Sequence, residues 1–143
     1  MVFRLGADID RWPLFLPHYR YVRLLWASAD RRRKVAAMGA RRDGLPVAWT
    51  TTQELFPAES PMRIRFRHVR GVTRGMDVAW LLTPSPQGVH VEIRHEFAPG
   101  WPLIGGWPTE RVIGGFFVGT IAGRTLRCVK AVAEAAMVAL ESS

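Results

Sequence analysis

His68 and His95 are the side chains of this sequence best placed to do chemistry. Each sits in a segment whose residues alternate in character: Met62, Ile64, Phe66 and His68 against Arg63, Arg65 and Arg67, then Val89, Val91, Ile93, His95 and Phe97 against His90, Glu92, Arg94 and Glu96. A period of two places both imidazoles on the inward faces of strands. The segment between them carries Met76, Val78, Trp80 and Leu82 on one face, so the two histidines can converge around Trp80. Either imidazole could act as a general acid or base, because histidine titrates near neutral pH, or each could be a hydrogen-bonded member of a polar patch in the core.

Other chemistries find little support. There is no Gly-x-Ser-x-Gly elbow, phosphate-binding glycine loop or dinucleotide fingerprint, and His18, His68, His90 and His95 lack metal-ligand spacing. No metal and no cofactor is expected. Cys128 is the single cysteine, and Leu126 and Val129 beside it suit a small buried hydrophobe better than a nucleophile.

The strands that would carry the histidines belong to a longer series. Tyr19 to Trp26 and Val35 to Arg41 read as strands, and Asp43-Gly44 is a turn dipeptide leading into Val47 through Phe56. Along that third strand Trp49, Thr51 and Gln53 share one face and Ala48, Thr50, Thr52 and Glu54 the other, and alternation alone does not name the buried side. Met62–Val69 and the next two segments complete an antiparallel meander. Before it, Val2 to Arg11 can form a short helix and Pro13 to His18 a second turn, with the two prolines making a corner. After it, residues 99–108 mix proline, glycine and tryptophan and suit a flap over a cavity mouth. From Thr109 to Leu140 apolar residues recur at helical spacing without proline. Gly115, Gly119 and Gly123 recur every fourth residue there, which suits close approach of helix to sheet or volume left for a ligand.

A chain of 143 residues fits one domain. The uncharged run 112–123 is too short to span a bilayer, which takes about 20 residues. The first residues have no basic head and apolar stretch of a secretion signal, so a cytoplasmic protein is expected. The formal charge of +8 is mostly arginine and scattered. Arg31-Arg32-Arg33-Lys34 is its dense run, read as a solvated turn more readily than a phosphate clamp because no nucleic-acid recognition motif accompanies it. Nucleic-acid or anionic-surface binding through the arginine faces is the remaining alternative from a different class.

The pieces Asp8-Ile9-Asp10-Arg11-Trp12-Pro13 with Tyr19, Trp49-Thr50-Thr51-Thr52-Gln53, Met76-Asp77-Val78-Ala79-Trp80, His95-Glu96-Phe97-Ala98 and Arg124-Thr125-Leu126, in this order, resemble the helix-grip superfamily of Bet v 1, START domains and bacterial polyketide cyclases. The resemblance implies an α+β fold, with two short helices near the amino terminus and a curved antiparallel sheet wrapped around a long carboxy-terminal helix. It further implies a cavity for a lipid-, polyketide- or aromatic-like molecule, lined by Trp49, Phe66, Met76, Trp80, Phe97, Trp101 and Phe117. Aromatase/cyclases of this superfamily place a tyrosine after the Trp-Pro corner and a serine and an arginine on a strand beyond a tryptophan. Tyr19, Thr51 and Gln53 match those positions here, with a neutral amide in place of a cation. Tyr19, Thr51, Gln53, His68 and His95 are thus the candidate orienting or catalytic set. The family pattern also begins with a strand before the first helix, which is missing here. Either the protein begins upstream of Met1, or the neighbouring strand, Val89 to Phe97, is covered by another segment or another chain, as in a homodimer.

Overall fold

The computed structural model describes residues 1–42, 44–71, 73–97, 103–104, 107–108 and 121–142, with only the backbone at 42, 97, 103–104 and 107–108. Asp43, Trp101, Gly115, Phe117, Gly119, the side chain of Phe97 and residues 109–120 of the expected helix therefore lie outside the described residues. So does most of the expected flap, of which Leu103–Ile104 and Trp107–Pro108 are described as a short antiparallel pairing.

Six strands form one antiparallel sheet in sequential order: β1 (Tyr19–Ala27), β2 (Arg33–Arg42), β3 (Leu45–Phe56), β4 (Met62–Gly71), β5 (Met76–Ser85) and β6 (Gly88–Phe97). The expected strands are all present, each slightly longer than the alternation alone marks. The β2–β3 pairing begins at Arg42↔Leu45, and the turn uses Gly44 at φ +85°, a backbone conformation that glycine adopts without cost. Register carries the inward face across the sheet through Lys34↔Gln53, Gln53↔Phe66, Phe66↔Val78 and Val78↔His95. On β3 the buried side is that of Trp49, Thr51 and Gln53. Three of the four arginines of β4 face outward against carboxylates: Arg65 to Asp77 at 2.6 Å, Arg67 to Asp77 at 3.4 Å and Arg63 to Glu59 at 2.8 Å. The edge strand β6 pairs with β5 alone among the described residues.

The first helix is shorter than expected. α1 (Val2–Ala7) stops at Asp8, a 3₁₀ turn follows at Ile9–Arg11, and α2 (Trp12–Phe15) makes the corner. In a longer helix the Leu5 carbonyl would accept the Ile9 amide; here it accepts the Trp12 indole Nε1–H at 2.9 Å. Pro13 is compatible with the first turn of α2, where a missing N–H costs nothing. The last carbonyls of α1 are capped from the sheet, with Gln53 Nε2 donating to Gly6 O at 3.1 Å and Lys34 Nζ donating to Ala7 O at 3.0 Å. At Gly6 a Cβ would fall 2.8 Å from Ile64 Cδ1, so α1 lies directly on the sheet.

Lys34 corrects the reading of residues 31–34 as one solvated run. Its side chain is 2% exposed and lies 3.5 Å from Asp10, whereas Arg31 stays at the surface. The alternation of β2 turns Lys34 inward, and a cation at a helix carboxy end is favourable.

The carboxy-terminal helix, α3 (Gly123–Glu141), buries Thr125 and Val129 and exposes Met137, Val138 and Leu140 near its end. At Gly123, the described member of the stripe, a Cβ would meet only Arg127 Nη1, at 3.6 Å, among the described residues, so no described part of the sheet approaches it closely. No described helix is long and apolar enough to cross a membrane.

The capping of α1 makes a prediction. Lys34→Met keeps the stem but strips the Ala7 carbonyl of its donor, and should cost about 1–3 kcal/mol. Arg32→Met, in the exposed turn, should stay within about 0.5 kcal/mol. Urea unfolding midpoints of the two variants check the contrast.

Candidate functional site

Between the inward face of the sheet and the start of α3 lies a hollow of about 50 Å³. Its walls are mainly aromatic, and the rings are in mutual contact. Trp12 stacks on Trp80 with centroids 5.6 Å apart, and meets Tyr19 at 5.2 Å and Phe66 at 5.7 Å. Tyr19 reaches Trp49 at 6.0 Å, and Trp49 lies flat on the His68 imidazole at 5.5 Å. Met38 and Met76, both fully buried, complete the walls with Val78, Ile93, His95, Ile121, Ala122 and Thr125.

Of the residues expected in the site, the structure brings together Tyr19, Trp49, Phe66, His68, Met76, Trp80 and His95. Thr51 and Gln53 are placed elsewhere. Thr51 is fully buried but donates to the Arg67 carbonyl at 3.0 Å, and Gln53 lies under α1 as its cap. Both share the inward face with Trp49, but Gln53, four residues along the strand, stands roughly 13 Å from it under α1, while Thr51, paired with His68 across the strands, spends its hydroxyl proton on backbone carbonyls.

The titratable groups here are neutral at pH 7. Burial lowers the pKa of His68 to about 3, with the charge of His95 adding to the effect and Asp77 opposing it. Burial also lowers His95 to about 4. His68 Nδ1 pairs with Thr73 Oγ1 at 2.6 Å, which anchors the ring against Trp49. Burial raises the pKa of the Tyr19 phenol, opposed by a hydrogen bond to Thr125, so it remains a donor. Neutral imidazoles and a phenol can position carbonyl or hydroxyl oxygens, and an imidazole this far below neutrality is a weak base until negative charge develops beside it.

His18, not among the expected site residues, belongs to the same assembly. Its Nε2 lies 2.9 Å from Thr125 Oγ1, while that hydroxyl donates to Ile121 O at 2.9 Å. The hydroxyl proton being used there, His18 Nε2–H is the donor and Nδ1 is left bare, with no hydrogen-bond partner among the described residues. Burial first, then Arg124 and Arg127, lowers its pKa to about 4. The signal for it in the sequence was its place at the Pro17 corner, which says nothing of a partner 107 residues away.

Wider depressions open at the surface, two of them against α3 and the sheet. One, about 770 Å³, runs between the start of β6 and α3 past Val89, Val91, Val129, Ala133, Met137 and Val138. The other, about 450 Å³, is bordered by Pro17, His18, Arg41, Gly44, Arg124, Arg127 and Cys128. No group of three or more His, Cys, Asp or Glu able to hold a metal occurs among the described residues.

Residues 1–115 match the family model described as polyketide cyclase / dehydrase and lipid transport. No curated protein is significantly similar in sequence. Among solved structures, TTHA0849 from Thermus thermophilus superposes with a TM-score of 0.72 at 20% identity, covering 94% of this chain and 88% of that one. The di-domain ARO/CYC StfQ of the steffimycin biosynthetic pathway superposes at 0.74 and 18% identity, covering 95% of this chain and 46% of its own, so this chain spans about half of that two-domain protein. The Zhui aromatase/cyclase from a Streptomyces species superposes at 0.70 and 19% identity, covering 93% and 84%. At such identities the likeness establishes the helix-grip fold.

The buried imidazoles make stability depend on pH with a definite sign. Unfolded histidines titrate near 6.5, so between about pH 6.5 and the folded values near 3 to 4 the unfolded chain binds more protons. Their contribution is fully present above pH 6.5 and drains away as pH falls. The urea midpoint should drop steadily from pH 7 to about 5.5, where carboxylates are still almost wholly ionised, and His68→Gln should make the slope shallower. A midpoint independent of pH in that window would contradict the burial of these rings.

Proposed function

The chain belongs to the polyketide cyclase/dehydrase and lipid transport family, and from that membership and the lining of the hollow we propose that it binds a hydrophobic small molecule bearing a carbonyl or hydroxyl oxygen. The observation that carries this reading is the meeting of Trp12, Trp49, Phe66 and Trp80 with neutral His68 and His95 around one interior hollow. Apolar burial, at roughly 25 cal/mol per Å², supplies the affinity, and Tyr19 and the imidazoles fix the orientation.

At about 50 Å³ the hollow is closed down; a cavity that takes benzene is about 150 Å³, and pockets for larger ligands start near 300 Å³. A ligand therefore enters by moving the walls. Met38 and Met76 are the walls able to move, since an unbranched thioether with three rotatable bonds repacks at small cost. Binding of a multi-ring ligand thus includes an opening step.

The second reading is an aromatase/cyclase-type enzyme working by acid/base catalysis, supported by the convergence of Tyr19, His68 and His95 on the same hollow. In it, an enolate forming beside an imidazole raises that imidazole's proton affinity, and the ring takes the proton while the phenol donates to a carbonyl oxygen. Thr51 and Gln53 have no direct part in either reading, given their bonds to Arg67 and Gly6.

Titration with 1,8-dihydroxyanthraquinone should quench the tryptophan fluorescence saturably. Ala122→Leu, which fills the hollow from the helix side, should weaken that binding tenfold or more while the protein stays folded. Unchanged affinity in this variant would rule out the hollow as the binding place. A reactive poly-β-ketone whose product pattern is the same with and without the protein would end the cyclase reading and leave the carrier reading intact.

A further inference from the structure

The sheet has two edge strands, and they differ in how they are guarded. β1 is broken by irregularities between Tyr19 and Tyr21 and between Leu24 and Trp26, and bulges of this kind turn an edge away from further pairing. β6 pairs with β5 without interruption over its 10 residues, from Met76↔Phe97 to Ser85↔Gly88. No strand lies along its other side among the described residues. Its inward side chains are correspondingly less buried than those of β5. Trp80 and Leu82 are 3% and 0% exposed, whereas their cross-strand neighbours Ile93 and Val91 are half-buried and Val89 is 40% exposed. The groove between β6 and α3 continues this surface, with exposed Met137 and Val138 on its helix side.

The outward face of β6 selects the occupant. Its order is His90, Glu92, Arg94, Glu96, all exposed, with Glu92 and Arg94 paired at 2.7 Å within the strand. Set antiparallel to a copy of itself, about a two-fold axis normal to the sheet at Ile93, the strand places each Glu92 opposite Arg94 of the second copy and each His90 opposite Glu96. Moving the axis by one residue sets Glu92 against Glu92 or Arg94 against Arg94. Moving it by two leaves Arg94 opposite Gly88, or Glu92 opposite Ala98, with no charge to meet. Opposite charges facing each other across strands stabilise the pairing and like charges oppose it. The charge pattern therefore fits a second copy of this chain in one register.

We propose that β6 is the interface of a homodimer, joined strand to strand in the register centred on Ile93, so that two six-stranded sheets become one. On the inward side this register sets Val91 of one copy beside His95 of the second, which closes the open flank of Val91 and Ile93. On the outward side Glu92 and Arg94 of the two copies form one network of four charges. The dimer stands whether or not the aromatic hollow takes a ligand.

The test is sedimentation velocity of the full chain across the micromolar range at low salt, where the unaltered chain should sediment as a dimer. Glu92→Arg and Arg94→Glu, each made alone, put like charges across the seam and should weaken dimerisation at least tenfold. Near-ultraviolet circular dichroism should show the packed tryptophans of each variant unchanged. Mixing the two variants in equal amounts should restore the dimer, because every arginine on one strand then faces a glutamate on the other. The double variant Glu92→Arg/Arg94→Glu, which exchanges the charges, should dimerise like the unaltered chain. An unaltered chain that stays monomeric throughout, its edge bare or covered by its own residues, would overturn the proposal. So would single variants that dimerise as before, or a mixture that stays monomeric.

Discussion

The stack of Trp12 on Trp80 is the contact on which the rest of the molecule depends. Trp12 sits at the amino-terminal corner, is 3% exposed, and touches the rings of Tyr19, Phe66 and Trp80 while its indole N–H closes the end of α1. A ring of this size fully buried stabilises by about 2–3 kcal/mol or more. It also decides where α1 can lie, because the Leu5 carbonyl it takes is one the helix would need to continue. With Trp12 seated, Lys34 and Gln53 reach the last carbonyls of α1, and the corner forms one side of the aromatic hollow.

That arrangement divides the inward face of the sheet into two regions. Under α1 the polar side chains Lys34 and Gln53 serve the backbone. Toward α3 the face is aromatic, with imidazoles whose charge is suppressed by burial. The second region is a small, nearly filled hollow, with adaptable methionines among rigid rings. Its neutral polar atoms suit recognition of uncharged oxygens, and they acquire proton affinity only when a ligand brings negative charge. The hydrogen bond from His18 to Thr125 carries the hollow's wall across to the cleft bordered by Arg41, Arg124 and Arg127.

Much of the fold was legible in the sequence because strands with one buried face write their period directly. Met62–Phe66 against Arg63–Arg67 placed β4 and its inward side, and His68, Trp80 and His95 were brought to one hollow as the alternation implied. What period alone does not record is which helix lies over which part of that face. Thr51 and Gln53 share the inward side with Trp49, yet one is bonded to a neighbouring strand and the other to α1. Lys34 was hidden by its neighbours, since three arginines beside it suggested solvent while its register pointed it inward. His18 was invisible as a site residue because its partner Thr125 comes from the far end of the chain. The size of the hollow was also out of reach, since it depends on how the rings pack and not on their identity.

A crystal structure of the chain grown with 1,8-dihydroxyanthraquinone tests the central claim most directly. The account predicts the ring system between Trp80 and Thr125, with Met38 and Met76 in new rotamers and the Trp12–Trp80 stack kept. A ligand seated instead in the surface groove between β6 and α3, with the interior hollow still near 50 Å³, would contradict it.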